Sequence, residues 1–284
     1  MSEAVSPVVP LEDDRTGGVR VWLKRDDLIG GGISGNKWRK LKYNVGAGAV
    51  VTFGGAYSSH VRAVAVAGEK YGFATAGVIR GEERLPLNPV LDDAVRRGMR
   101  LRYLDRTTYR LKHTTEVLEW LRGEYPGYRI LPEGGSNPEA VRGCMELPGE
   151  ITVPFDVICC PVGTGGTLAG IAAGLTPGRR AIGFSALRGG SFLNDEVARL
   201  QRETLGETTP NWHIETDYHF GGYARTNAQL SSFIDDFHDR HGILLDRVYV
   251  AKMMYGVFDL IESGAFASGT ALVAVVTGGP DLPR

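Results

Sequence analysis

The chain has 284 residues, of which 32 are Lys or Arg and 33 are Asp or Glu, for a formal net charge of -1, and 43% of it is hydrophobic. That balance excludes bulk electrostatic attraction to nucleic acid or an anionic membrane, so any phosphate binding must be local. The apolar fraction suits a globular body with a sizeable core, in one large domain or two modest ones.

Met1 to Leu11 lacks a basic start followed by an apolar run and does not read as a signal peptide. No stretch approaches the roughly 20 apolar residues of a membrane helix, so a cytoplasmic protein is expected. Val19 to Leu23 is a short apolar run that precedes the first regular repeat of elements. Gly48 to Phe53 is strand-like, Gly54-Gly55 is expected to turn, and Ser58 to Lys70 has the Ala/Val spacing of a buried helix. Phe73 to Ile79, Arg100 to Leu104 and Tyr128 to Leu131 read as further strands, with helices starting near Asn88 and Thr108. Phe155 to Cys160, Ala181 to Phe184 and Ala271 to Val276 form a second strand set. Helices are expected near Thr167 to Leu175, Asn227 to Arg240 and Tyr249 to Ser263. Apolar runs ending in glycine and followed by helices are the mark of βα units with parallel strands, so the fold class is α/β. Two α/β lobes follow, the first a compact run of βα units from about residue 46 to 140; Val19 to Leu23 precedes it but need not belong to it, since chains that build a site between lobes often cross back. Cys144, Cys159 and Cys160 cannot all pair within one chain, and Cys159-Cys160 lies in an apolar run, so all three read as reduced and structural.

Three segments carry candidate chemistry. Pro161 to Thr167 runs from a strand through Gly163, Thr164, Gly165 and Gly166 into a helix. Converging backbone N–H groups, the helix dipole and the hydroxyls of Thr164 and Thr167 make it a phosphate cradle. It lacks the Lys of a Walker A loop and the glycine order of a dinucleotide site, which favours a lone phosphate monoester. The competing view is a glycine turn that only connects elements. Ser34 to Lys40 places Lys37 just after a glycine and a potential helix cap, where the positive end of the helix disfavours the ammonium and suits Schiff-base chemistry. Taken alone, Lys37, Arg39, Lys40 and Lys42 are more often a solvated basic face. Gly54 to His60 is a second strand-to-helix turn that could dock a carboxylate, or in which Ser58 is simply an N-cap. His60 has no histidine at i+4 and no carboxylate cluster, so metal binding is not expected.

Together these segments resemble the family containing 1-aminocyclopropane-1-carboxylate deaminase and D-cysteine desulfhydrase, within the tryptophan-synthase-β-like (fold type II) pyridoxal-phosphate enzymes. Lys24 to Leu28 followed by Gly35 to Leu41 is similar to the family's lysine motif, which implies that Lys37 carries the cofactor. Gly54 to His60 resembles the serine loop, implying that Ser58 contacts the substrate carboxylate or takes part in catalysis. Gly163 to Thr167 resembles the phosphate loop, Tyr223 and Tyr249 fall where the family places active-site tyrosines, and Thr277-Gly278-Gly279 resembles a cofactor-side motif. Ser59 stands where the family usually has an asparagine that bonds the cofactor's phenolic oxygen. Val250 stands where the deaminase has a glutamate facing the pyridine nitrogen, and Thr277 becomes the candidate partner of that nitrogen.

The resemblance implies pyridoxal 5'-phosphate as cofactor and elimination from a small β-substituted amino acid, with Lys37 as base and pyruvate, ammonia and sulfide as products. It also implies a small domain over residues 46–140 and a larger one from 1–45 plus 141–284, with the cofactor between them, and a homodimer. Rival expectations are deamination of the cyclopropane amino acid, another elimination or a β-replacement, a catalytically poor cofactor-binding protein, and a phosphate-binding protein without the cofactor.

Overall fold

The structure is a computed structural model that describes residues 5–29, 32–33, 35–46 and 48–279. Ser34 and the first four residues, which entered the lysine motif and the N-terminal segment above, lie outside the described residues. In chain order the elements are β1 Val8–Pro10, β2 Arg20–Lys24, α1 Asn36–Lys42, β3 Val50–Gly55, α2 Ser59–Tyr71, β4 Thr75–Arg80, α3 Pro89–Arg96 and β5 Arg100–Leu104. Then come α4 Arg106–Arg110, α5 Thr115–Glu124, β6 Arg129–Leu131, α6 Pro138–Met145, β7 Val157–Val162, α7 Gly166–Gly174, β8 Arg180–Ser185 and α8 Phe192–Leu205. The series closes with β9 Trp212–Glu215, α9 Ala228–His241, α10 Val250–Glu262 and β10 Ala271–Val275.

These strands form a six-stranded sheet in the order β1-β2-β10-β7-β8-β9 and a four-stranded sheet in the order β5-β4-β3-β6. Among the described residues β1 alone runs antiparallel to its neighbour, and the other pairings are parallel. Parallel strands need helical crossovers and become covered on both faces, which explains the continuous apolar runs. In β7 the alternation is explicit, with Val157 and Cys159 in one core and Ile158, Cys160 and Val162 in the other. The four-stranded sheet divides likewise, Val50 and Ile79 on one side and Val51, Phe53 and Val78 on the other. The early strand β2 pairs with β10, so the chain begins in the six-stranded sheet, leaves it to build β3 to β6, and returns to it at β7. The three cysteines are free and buried.

One local expectation is corrected. Gly54 and Gly55 do not turn; they are the last residues of β3, and the turn falls on Ala56 and Tyr57. Gly54 remains constrained, because a Cβ there would lie 2.6 Å from Ser58 Oγ and 2.5 Å from a Val61 methyl. The segments α6, α8 and β9 carry no clear expectation from the sequence. In β9 Trp212 and Ile214 pack on a core while His213 is exposed, but four residues are too short a run for that alternation to be read as a strand.

Candidate active site

Ligand sites in parallel sheets lie beyond the carboxyl ends of the strands. Here both sheets deliver those ends to one cleft of about 1430 Å³. The residues after β3 (Ala56 to His60), β6 (Pro132 to Gly134), β7 (Gly163 to Gly165) and β10 (Thr277 to Gly279) all line it, with Lys37 and Lys40 from α1.

The position of Lys37 is set by a close backbone approach. Gly35 has φ +63 and a Cβ there would sit 1.5 Å from the carbonyl oxygen of Thr277, so only glycine lets α1 begin against the end of β10. Gly35 N donates to Asp26 O and Asn36 N to Thr277 O, each at 3.0 Å. Lys37 is half-buried and donates to Asn36 Oδ1 at 3.0 Å, while Asn36 Nδ2 donates to Thr167 Oγ1 at 3.0 Å, joining the lysine helix to the start of α7.

Beneath α1 the motif Lys24 to Asp27 has a structural purpose. Arg39 is fully buried and forks onto Asp26 at 2.6 and 2.9 Å and onto Glu150 at 2.6 and 2.8 Å. Lys24 adds a bond to Glu150 at 2.8 Å, and Ser6 donates to Asp26 at 2.6 Å. The bland expectation of a solvated basic face is therefore overturned for Arg39 and for Lys40, which are 0% and 3% exposed.

Lys40 is a site residue that sequence reasoning missed. Its ammonium donates to Ser136 Oγ at 2.9 Å, Gly134 O at 3.1 Å and Thr164 Oγ1 at 3.3 Å, beside the glycine loop. Burial, with the charge of Lys37 adding repulsion, pushes its amine down to about 7. The available signal was the three-residue spacing from Lys37, which puts both on one helix face. Within the glycine loop, Gly165 has φ +77, and a Cβ on Gly163 would lie 2.9 Å from the Tyr249 ring. Gly166, expected in the phosphate loop, is the buried first residue of α7, packed on Ser136 and the Lys40 side chain.

On the opposite wall Ser58 caps α2, accepting from Val61 N at 3.2 Å; its cap role and a place in the cleft coexist. Ser59 is exposed at the same helix start. His60 is turned inward, with Nε2 2.8 Å from Thr52 Oγ1 and burial holding its pKa well below 6.5. Arg80, at the end of β4, reaches within 3.5 Å of where a Gly55 Cβ would stand. Tyr223 and Tyr249 meet edge to face at 6.1 Å and 66°. Thr277 is 6% exposed and lines the cleft. Val250 does not join them: it is wholly buried in the core of the six-stranded sheet. Of the residues singled out from sequence, then, Lys37, Ser58, Ser59, Gly163, Thr164, Gly165, Thr167, Tyr223, Tyr249 and Thr277 come together in one cleft.

A sequence profile for the family described as pyridoxal-phosphate dependent enzyme matches residues 1–278. The chain is 35% identical to a protein of Pyrococcus horikoshii provisionally named 1-aminocyclopropane-1-carboxylate deaminase, over 92% of this chain and 85% of that one. It is 28% identical to D-cysteine desulfhydrase of Salmonella typhi, over 92% and 87%. The crystal structure of an ACC deaminase homologue superposes with a TM-score of 0.82 at 31% identity, covering 98% of this chain and 91% of that one.

The residues fit that cofactor. A half-buried lysine, a glycine cradle at a helix start and a buried second cation match an aldehyde carrying a phosphate monoester. Phosphate held near Lys40 favours the ammonium, so binding should take up a proton. Affinity is then expected to fall as pH rises above about 7, where the cofactor-free amine loses its proton. Replacing Lys40→Met should weaken cofactor binding about 10- to 100-fold, the loss expected for one charged hydrogen bond, and should flatten that pH dependence. Titration of the cofactor-free protein at several pH values checks both; unchanged affinity in the variant would remove Lys40 from the phosphate site.

Proposed function

The chain belongs to the pyridoxal-phosphate dependent enzyme family, and from that premise we propose that it catalyses α,β-elimination on a small β-substituted amino acid. The proposed reaction is that of D-cysteine desulfhydrase, in which cysteine and water give pyruvate, ammonia and sulfide. The carrying observation is the convergence on one cleft of Lys37, the helix start at Ser58 and the glycine loop.

Pyridoxal phosphate, when bound, supplies the electron sink that lets a proton leave the substrate's α-carbon. Lys37 would carry the cofactor, and its amine, when free, would take the α-proton as general base. Ser58 and the amides at the start of α2 hold the substrate carboxylate, and Ser59 beside it is assigned to the cofactor's phenolic oxygen. Tyr223 and Tyr249 orient the substrate or assist proton transfer. Lys40, Gly163, Thr164, Gly165, Gly166 and Thr167 hold the phosphate end. Thr277 offers a neutral hydroxyl to the pyridine nitrogen, which suffices when the leaving group at Cβ is good and serves poorly for opening a cyclopropane. The two sheets are taken as two lobes, residues 46–140 and the remainder, with the cofactor between them and a homodimer as the expected assembly.

The name of the Pyrococcus relative favours a second reading, deamination of 1-aminocyclopropane-1-carboxylate to 2-oxobutanoate and ammonia. Incubation of the cofactor-loaded protein with D-cysteine, L-cysteine and the cyclopropane amino acid in turn, with identification of the keto acid, separates the two. Pyruvate from D-cysteine alone is expected. Release of 2-oxobutanoate would replace the first reading with the second.

A further inference from the structure

Lys252, on α10, is 1% exposed, yet its ammonium meets main-chain carbonyls. Nζ donates to Gly222 O at 2.7 Å and His219 O at 2.8 Å, and lies 3.5 Å from Ala186 O. An ammonium has three donors and no acceptor, so three surrounding carbonyls suit its full capacity. The cost of burying it falls on the cation: burial pushes its amine down to about 8, against the attraction of Asp246.

The loop it grips is one that a chain does not adopt unaided. Phe220 has φ 51 and Ala224 φ 56, both in the left-handed region that side-chain-bearing residues avoid, and Gly221 and Gly222 have φ 93 and 118. Backbone of this kind persists only where its surroundings over-determine it. Tyr223 follows Gly222 directly and stands against Tyr249, which caps α10 three residues before Lys252. Gly222 is also close-packed, a Cβ there lying 3.4 Å from the Arg188 Cβ in the segment after β8. One ammonium thus ties the Tyr223 loop to the helix that presents Tyr249.

We propose that Lys252 is a positioning residue, gathering the carbonyls of His219 and Gly222 so that the Tyr223 ring is held against Tyr249 at the cleft. This rests on the reading above that Tyr223 orients the substrate. The test is hydrogen exchange and turnover of the cofactor-loaded enzyme as Lys252→Met, Tyr223→Phe and both together. Lys252→Met is expected to speed amide exchange over residues 217–225 at least fivefold while α10 and the cofactor's visible absorbance are retained. It is also expected to lower kcat/KM about tenfold, and the double variant should be no slower than Tyr223→Phe, because the two changes remove one function. Should Lys252→Met not fold, Lys252→Gln keeps N–H donors without the charge and enters the same cycle. Unchanged exchange in the loop, or losses that multiply in the double variant, would overturn the role of Lys252 and leave the tyrosine in place. A silent Tyr223→Phe would overturn the tyrosine's own assignment and the positioning role with it.

Discussion

Replacing Lys37→Ala is expected to leave a folded protein whose keto-acid release has fallen on the order of 10⁴-fold or more, because one side chain is given two functions, carrying the cofactor and moving the α-proton. Folding should survive. Lys37 is half-buried at the second position of α1, alanine is a strong helix former, and the bonds that set the helix start, Gly35 N to Asp26 O and Asn36 N to Thr277 O, are main-chain. Lys40 cannot take over, since its ammonium is engaged by Gly134, Ser136 and Thr164 on the phosphate side. The two lysines therefore separate experimentally: Lys37→Ala removes turnover with the cofactor-dependent visible band altered, whereas Lys40→Met weakens affinity. Partial recovery of Lys37→Ala by added methylamine would support the amine's role. Turnover near the parent level would refute it.

What the sequence disclosed and withheld follows from the range of the interactions. Strand-glycine-helix order is local, so the β3, β4, β5, β7, β8 and β10 segments and the glycine loop were legible, and so was the lysine after Gly35. The resemblance then tied Lys37, Ser58, Tyr223, Tyr249 and Thr277 together, and the cleft brings them to one place. The basic run from Lys37 to Lys42 misled, because a buried cation and a solvated one share the same letters. Arg39 is distinguished only by carboxylates 13 and 111 residues away, at Asp26 and Glu150. Lys252 is invisible for a further reason: its partners are main-chain carbonyls, which no sequence pattern records.

Arg39→Met is expected to cost about 3 to 5 kcal/mol of stability, the range for removing one partner from a buried ion pair. Among the described residues, Asp26, at 0% exposed, would keep the Ser6 hydroxyl as its side-chain partner, and Glu150 would keep Lys24. A nonpolar side chain of similar length fills the space but removes the guanidinium from Asp26 and leaves Glu150 with Lys24, so the loss reports charge rather than a cavity. The acid side of the stability profile should move too. Burial raises the Glu150 carboxyl, but bonds from Arg39 and Lys24 outweigh it and hold the pKa below 4.5. Such a group contributes stability that is present above its unfolded pKa of 4.5 and is lost as pH falls through its lowered value, so with Arg39 gone less of it remains and the acid-unfolding midpoint should rise. Denaturant titration at neutral pH and an acid titration measure the two effects. The same variant tests how the network serves the site: Asp26 O accepts from Gly35 N, and the Gly35 backbone is wedged against Thr277. Slackening under α1 should displace Lys37 and lower cofactor affinity together with stability. Full affinity at reduced stability would mean that the network supports the fold alone.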